Sequence, residues 1–158
     1  MRRRTKIILA IAIIVPLTAV AGFLIWAYTP LGPMPEALAS LQSDQEVNVS
    51  IGTWIVFQPS DMSKSTGFII YPGARIDPRS YAPEAMALAE EGFLVVIVPM
   101  PLNLAVFGTD LANDVIKAYP SVQAWTIGGH SLGGSMAATF VHRYPTAAKG
   151  LILWASYP

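Results

Sequence analysis

A strand, a serine set among glycines and a helix follow one another directly between Val122 and Tyr144, and that succession admits few architectures. Val122-Gln123-Ala124-Trp125-Thr126-Ile127 is a short β-branched and aromatic run that reads as a buried strand. Ser135 to Tyr144 reads as a helix stopped by Pro145. The junction contains G-x-S-x-G as Gly129-His130-Ser131-Leu132-Gly133. A serine hydroxyl is a weak nucleophile; to attack a carbonyl it must be held in the open, beside a base and beside donors for the developing oxyanion. A sharp strand-to-helix turn holds it so, and the turn is crowded enough that a Cβ two residues before or after the serine would strike backbone. The five letters recur by accident in unrelated chains; the strand before them and the helix after them give them weight.

The start of the chain is of another kind. No charged residue stands between Lys6 and Glu36, and Ile7 to Tyr28 is nearly all apolar, long enough to cross a bilayer as a helix. Arg2, Arg3, Arg4 and Lys6 lie on one side, so the positive-inside rule keeps residues 1–6 in the cytoplasm and delivers everything after Tyr28 to the other side. Trp26 and Tyr28 then sit in the far interface, and Pro16 is tolerable within a spanning helix. The reading is a single-pass protein of the cell membrane, with a signal anchor over 7–28, a stalk over 29–46 and an extracytoplasmic domain over 47–158. The competing reading is a cleaved signal peptide and a secreted domain, with Ile7 to Leu17 as the apolar core and Ala19-Val20-Ala21 as the cleavage site. The apolar run continues beyond that site through Phe23-Leu24-Ile25-Trp26, which favours the anchor.

With no cysteine there is no disulfide, thiol chemistry or lipidated thiol to consider. Setting the four leading cations aside leaves six cations against ten acids, a net of −4, which argues against nucleic acid or anionic lipid head groups as the domain's partner. Two histidines offer no metal-ligand spacing, and the glycines around Ser131 lack the order of a phosphate loop, so neither metal nor cofactor is expected.

Strands are expected at Val47 to Ile51, Thr53 to Phe57, Thr66 to Tyr71, Phe93 to Val98, Val122 to Ile127 and Gly150 to Ala155, and helices at Ala82 to Glu91 and Thr109 to Tyr119 besides the one after the serine. Ser80 is the expected cap of the first helix and Thr109 or Asp110 of the second. Strand and helix alternate from residue 66 onward, the pattern of an α/β fold with a mainly parallel sheet and helices on both faces. Trp54, Trp125 and Trp154 fall in strands and are expected in the core.

The run from about Thr53 to Trp154 resembles the N-terminal part of an α/β-hydrolase, of the dienelactone-hydrolase-like and small esterase-like branch. The resemblance is carried by Gly129 to Gly133, by Tyr71-Pro72-Gly73-Ala74 after the third strand, by Glu90-Glu91-Gly92-Phe93-Leu94-Val95-Val96, and by Pro99-Met100-Pro101-Leu102-Asn103-Leu104. It implies Ser131 as nucleophile, the Leu132 N–H as one oxyanion donor, and a second donor from Gly73 or Ala74. It further implies a small ester-like or lactone substrate; the lipid bilayer is expected as partner from residues 7–28, as read above.

The departure from that pattern is the acid and base. The family order is serine, then Asp or Glu, then His, yet no acid follows Ser131 and the only later histidine is His142. Eleven positions along one helix separate His142 from the serine by about 16 Å of rise, against the roughly 3 Å a base must reach. His130 is expected to turn away and pack or hydrogen-bond beneath the turn. Asp110 and Asp114 are assigned to a helix cap and a solvated face, and Arg75 and Asp77 to turn and surface roles ahead of substrate contact. Met100, Leu102, Leu104, Val106 and Phe107 form an apolar loop that packs on the core or lines an acyl pocket. The expectation is therefore the front part of a longer hydrolase, C-terminally incomplete, inactive alone and left with an open sheet edge. The alternative is a catalytically silent remnant serving as a membrane-tethered binding or assembly module.

Overall fold

The third strand is the middle of the sheet and sets the register of what surrounds it. In the computed structural model, which describes residues 3–61 and 64–158, Arg2 of the basic end lies outside the described residues. Helix α1 runs over Arg3–Tyr28 and a short α2 over Pro35–Ala39; β1 (Val47–Ile51), β2 (Ile55–Pro59) and β3 (Thr66–Tyr71) follow. Then come α3 (Ala82–Glu90), β4 (Leu94–Ile97), α4 (Ala112–Ala118), β5 (Ala124–His130), α5 (Leu132–Arg143) and β6 (Gly150–Trp154). The strand order is β1-β2-β4-β3-β5-β6, antiparallel at β1-β2 and β2-β4 and parallel elsewhere.

Side chains alternate across the central strands, as the pleat requires, and this fills two cores. Ile69, Tyr71, Leu94, Val96, Trp125 and Ile127 face α4 and α5, where Val115 and Phe140 are fully buried. Ile70, Val95 and Ile97 face α3, whose Ala82, Ala85 and Ala89 let the helix lie close to the sheet. Gly67 pairs with Trp125, and a Cβ there would stand 2.6 Å from the indole; the missing side chain is what lets that ring lie over the strand.

Boundaries moved where glycine or long-range contacts decide them. β5 continues to His130 because Gly128 and Gly129 are paired on both sides, to Ile70 and Tyr71 and to Ile152 and Leu153. Helix α5 starts at Leu132, three residues earlier than the Ser135 expected, and β2 starts at Ile55 and reaches Pro59 opposite Val47. Neither Thr109 nor Asp110 caps α4. Its first N–H, on Ala112, donates to the Tyr71 hydroxyl (2.8 Å), which itself donates to the Thr109 carbonyl (2.9 Å). Burial pushes the Tyr71 phenol up, so the hydroxyl stays protonated as donor. Ser80 likewise makes no cap. Asp77 does that work one turn earlier, accepting the Arg79 N–H (2.9 Å) at the head of a 3₁₀ turn over Pro78–Tyr81 that leads into α3.

Asp77 also receives two guanidinium bonds from Arg79, at 2.9 and 2.6 Å. Those bonds hold its carboxyl below the usual carboxylate range, against a smaller opposing effect of burial. A depressed folded value means stability present above the unfolded value, near pH 4, and lost as pH falls through the folded one. The melting temperatures of the parent and Asp77→Asn should therefore differ most near neutrality and converge in acid, a trend that melts between pH 7 and pH 3 would read.

Candidate active site

Ser131 is the single residue between the end of β5 and the start of α5, with φ 52° and ψ −123°, and it is exposed. A non-glycine residue at positive φ is strained and persists only where its surroundings fix it. Here they do. The Ser131 N–H donates to the Trp154 carbonyl (2.9 Å), and its own carbonyl accepts the Gly134 and Ser135 N–H groups and the Ser156 hydroxyl (2.7 Å). Glycine is needed on both sides for the reason the sequence suggested. A Cβ at Gly129 would meet the Tyr71 carbonyl oxygen at 2.5 Å and the Gly133 backbone at 2.6 Å, and one at Gly133 would run into the Tyr71 carbonyl from the helix side.

The helix that follows brings its positive end to the serine. Among the hydrogen bonds of the described residues, the Leu132 N–H has no acceptor, as expected of the first turn of a helix. The loop after β3 comes to the same edge of the sheet, but its two amides differ. Gly73 donates to the Tyr81 hydroxyl (2.8 Å), whereas Ala74 is exposed and its N–H has no acceptor among those bonds. The Tyr81 oxygen lies 3.2 Å from His130 Nδ1, and burial pushes the phenol up. His130 thus turns beneath the turn, away from the serine. A cavity of about 250 Å³ lined by Tyr81, Glu84, His130, Trp154 and Ala155 opens beside it.

A strand leading into a strained, exposed serine and then directly into a helix, on a mainly parallel sheet covered on both faces, is a family-level arrangement. The sequence pattern of the alpha/beta hydrolase family matches residues 67–158, more than half of the chain. The chain belongs to the α/β-hydrolase family. No curated protein sequence matches this family member. Among solved structures, a candidate lipase from Acinetobacter baumannii AYE superposes with a TM-score of 0.56 at 19% identity, over 77% of this chain and 44% of that one. Carboxyl esterase 2 from the mycorrhizal fungus Tuber melanosporum gives 0.55 at 14% identity, over 78% and 48%. At such identities the likeness is one of fold, and this α/β-hydrolase chain spans less than half the length of either.

The remaining candidates take other positions in this α/β-hydrolase fold. His142 is exposed in the last turn of α5. Asp110 pairs with Arg143 (3.2 Å) and Asp114 with Lys117 (3.9 Å), both at the surface. Arg75 turns toward α1, and Asp77 is the cap already described. Met100 is buried, Leu102 and Leu104 are half-buried, and Val106 and Phe107 are exposed, so the apolar loop packs at one end and faces outward at the other. Of the three tryptophans expected in the core, Trp125 is buried and Trp54 and Trp154 are packed against the two cores.

Sequence reasoning missed Tyr81. Its hydroxyl joins residues 8 and 49 positions away, and nothing local to an aromatic in a turn announces that. Removing the oxygen in Tyr81→Phe leaves the buried Gly73 amide without an acceptor, with an expected cost of about 1–3 kcal/mol. Urea denaturation would measure it.

Proposed function

We propose that the chain carries the nucleophile of a serine hydrolase acting on ester-like or lactone substrates. The Ser131 hydroxyl attacks the carbonyl carbon as its proton passes to a base, and the oxyanion is held by the N–H groups of Leu132 and Ala74, with Gly73 positioning the loop. Collapse expels the alcohol, which takes the proton back, and water then releases the acid from the serine ester by the same route. The observation that carries this reading is the backbone of Ser131: positive φ, exposed, one residue from a helix N-terminus, at the edge of the sheet where the Leu132 and Ala74 amides have no acceptor among the described residues. Losing one oxyanion donor typically costs about 10² to 10³ in rate, which is the weight we give the Ala74 loop.

His130 is engaged by Tyr81 and His142 is far along α5, so we place the base and its acid partner outside residues 1–158. The same placement supports a second reading, a silent member of the family used for binding. Treating the full-length protein with a fluorophosphonate probe separates them. Covalent labelling that disappears in Ser131→Ala is the result expected of the hydrolase, and an unlabelled protein that is folded is the result expected of the binding module.

A further inference from the structure

The carboxyl edge of the sheet, where Ser131 sits, is also the edge to which the long apolar helix is fastened. Helix α1 spans 26 residues, about 39 Å, and none of its most apolar window is buried against the domain. Its last turn is different. The Arg75 Nε donates to the Trp26 carbonyl (2.7 Å), Arg75 Nη2 to the Thr29 carbonyl (2.5 Å), and Asn103 Nδ2 to the Ala27 carbonyl (2.9 Å). The Arg75 guanidinium also lies 4.7 Å from the centre of the Trp26 ring, and Ala27 is fully buried. Helix-end carbonyls have no partner within the helix, and here the domain's own side chains satisfy them.

Those side chains come from the loops that leave β3 and β4 at the serine's edge of the sheet. The loops are tied together by the Arg75 N–H donating to the Asn103 carbonyl (2.8 Å), and Arg75, Leu102 and Asn103 all hold positive φ. Three strained non-glycine residues at one foothold indicate a junction fixed by its contacts rather than a slack tether. Trp26 and Ala27 belong to the apolar stretch itself, so the stalk expected over 29–46 does not hold the stretch away from the domain. The exposed apolar side chains Leu31 and Met34 follow directly, whereas Val106 and Phe107, farther along the loop beyond β4, line a hollow with Asp110, Asp114, Lys117 and Arg143. At the opposite edge, Lys64, Glu90 and Glu91 are charged.

We infer that the mouth of the Ser131 site lies against the bilayer surface and takes membrane-partitioned acyl esters, which reach the serine from the lipid phase rather than from water. The inference rests on reading α1 as a spanning helix and Ser131 as the nucleophile. Apolar side chains at such a foothold insert about 5–10 Å into the headgroup boundary.

Residues 1–158 hold no cysteine, so single-cysteine variants of the full-length protein, with any cysteine outside them replaced by serine, report each edge separately in phosphatidylcholine vesicles. A fluorophore on Met34→Cys should be quenched several-fold more by spin-labelled lipid than one on Glu91→Cys; equal quenching would overturn the orientation. In the same vesicles, a long-chain alkyl fluorophosphonate dissolved in the bilayer should label Ser131 faster than a short water-soluble one at matched total concentration. Faster labelling by the soluble probe overturns the substrate class while leaving the nucleophile standing. Labelling by neither probe, with quenching confined to Met34→Cys, removes the nucleophile and with it the substrate class, and keeps the orientation.

Discussion

Gly133→Ala should yield a protein destabilised by about 3 kcal/mol or more, at the upper end of what overpacking costs. The added methyl would enter the space held by the Tyr71 carbonyl oxygen and approach the Pro72 carbonyl oxygen to 2.5 Å. Neither atom is the free end of a side chain. Tyr71 is paired in β3 with Gly129 of β5, so the strand end cannot retreat without breaking the sheet beside the serine. The helix must lift instead, and α5 buries Ala137 and Phe140 against the same core. Gly52→Ala is the control, since a Cβ there meets nothing within 4 Å, and its effect should stay within about 0.5 kcal/mol. Urea midpoints for the two variants measure the contrast; equal midpoints would mean that the turn is looser than its contacts imply.

Tyr71→Phe is the second large effect, expected at about 2–5 kcal/mol for two backbone groups left unsatisfied. The ring remains, so no cavity of consequence forms, and the whole loss belongs to one oxygen. That oxygen accepts from the Ala112 N–H and donates to the Thr109 carbonyl, in a residue that is fully buried. Water cannot replace it there without opening the packing of α4 on the sheet. Hydrogen exchange at the Ala112 amide should quicken in the variant well beyond the change seen in β3. A loss in stability below about 0.5 kcal/mol would show that α4 has another way to close its first turn.

These two tyrosine and glycine positions also mark where the chain could be read in advance. Gly133 was legible because the constraint is local: a serine between glycines, with a strand before and a helix after, forces a sharp turn whatever else is present. The buried strands β3 and β4 were legible because continuous Ile, Val and Leu runs of that length belong in a parallel sheet. The sequence marks Tyr71 as strand but not as the cap of a helix 41 residues later, since a hydrogen bond across the core leaves no mark on either segment. The expected caps Thr109, Asp110 and Ser80 failed for the same reason. Local capping rules were outbid at α4 by a tertiary partner, and at α3 by Asp77 acting one turn earlier. Arg75 and Asn103 looked like ordinary turn residues. Only the arrival of α1 at their side gives them a task, and no spacing in the sequence links positions 26 to 29 with 75 and 103.

The Tyr81 hydroxyl, held between the Gly73 amide and the His130 ring, has a mechanical consequence. It links the end of the strand that leads to the serine with the neighbouring loop, so movement of one wall of the crevice is coupled to the other. Widening the gap between them would require that link to stretch or break.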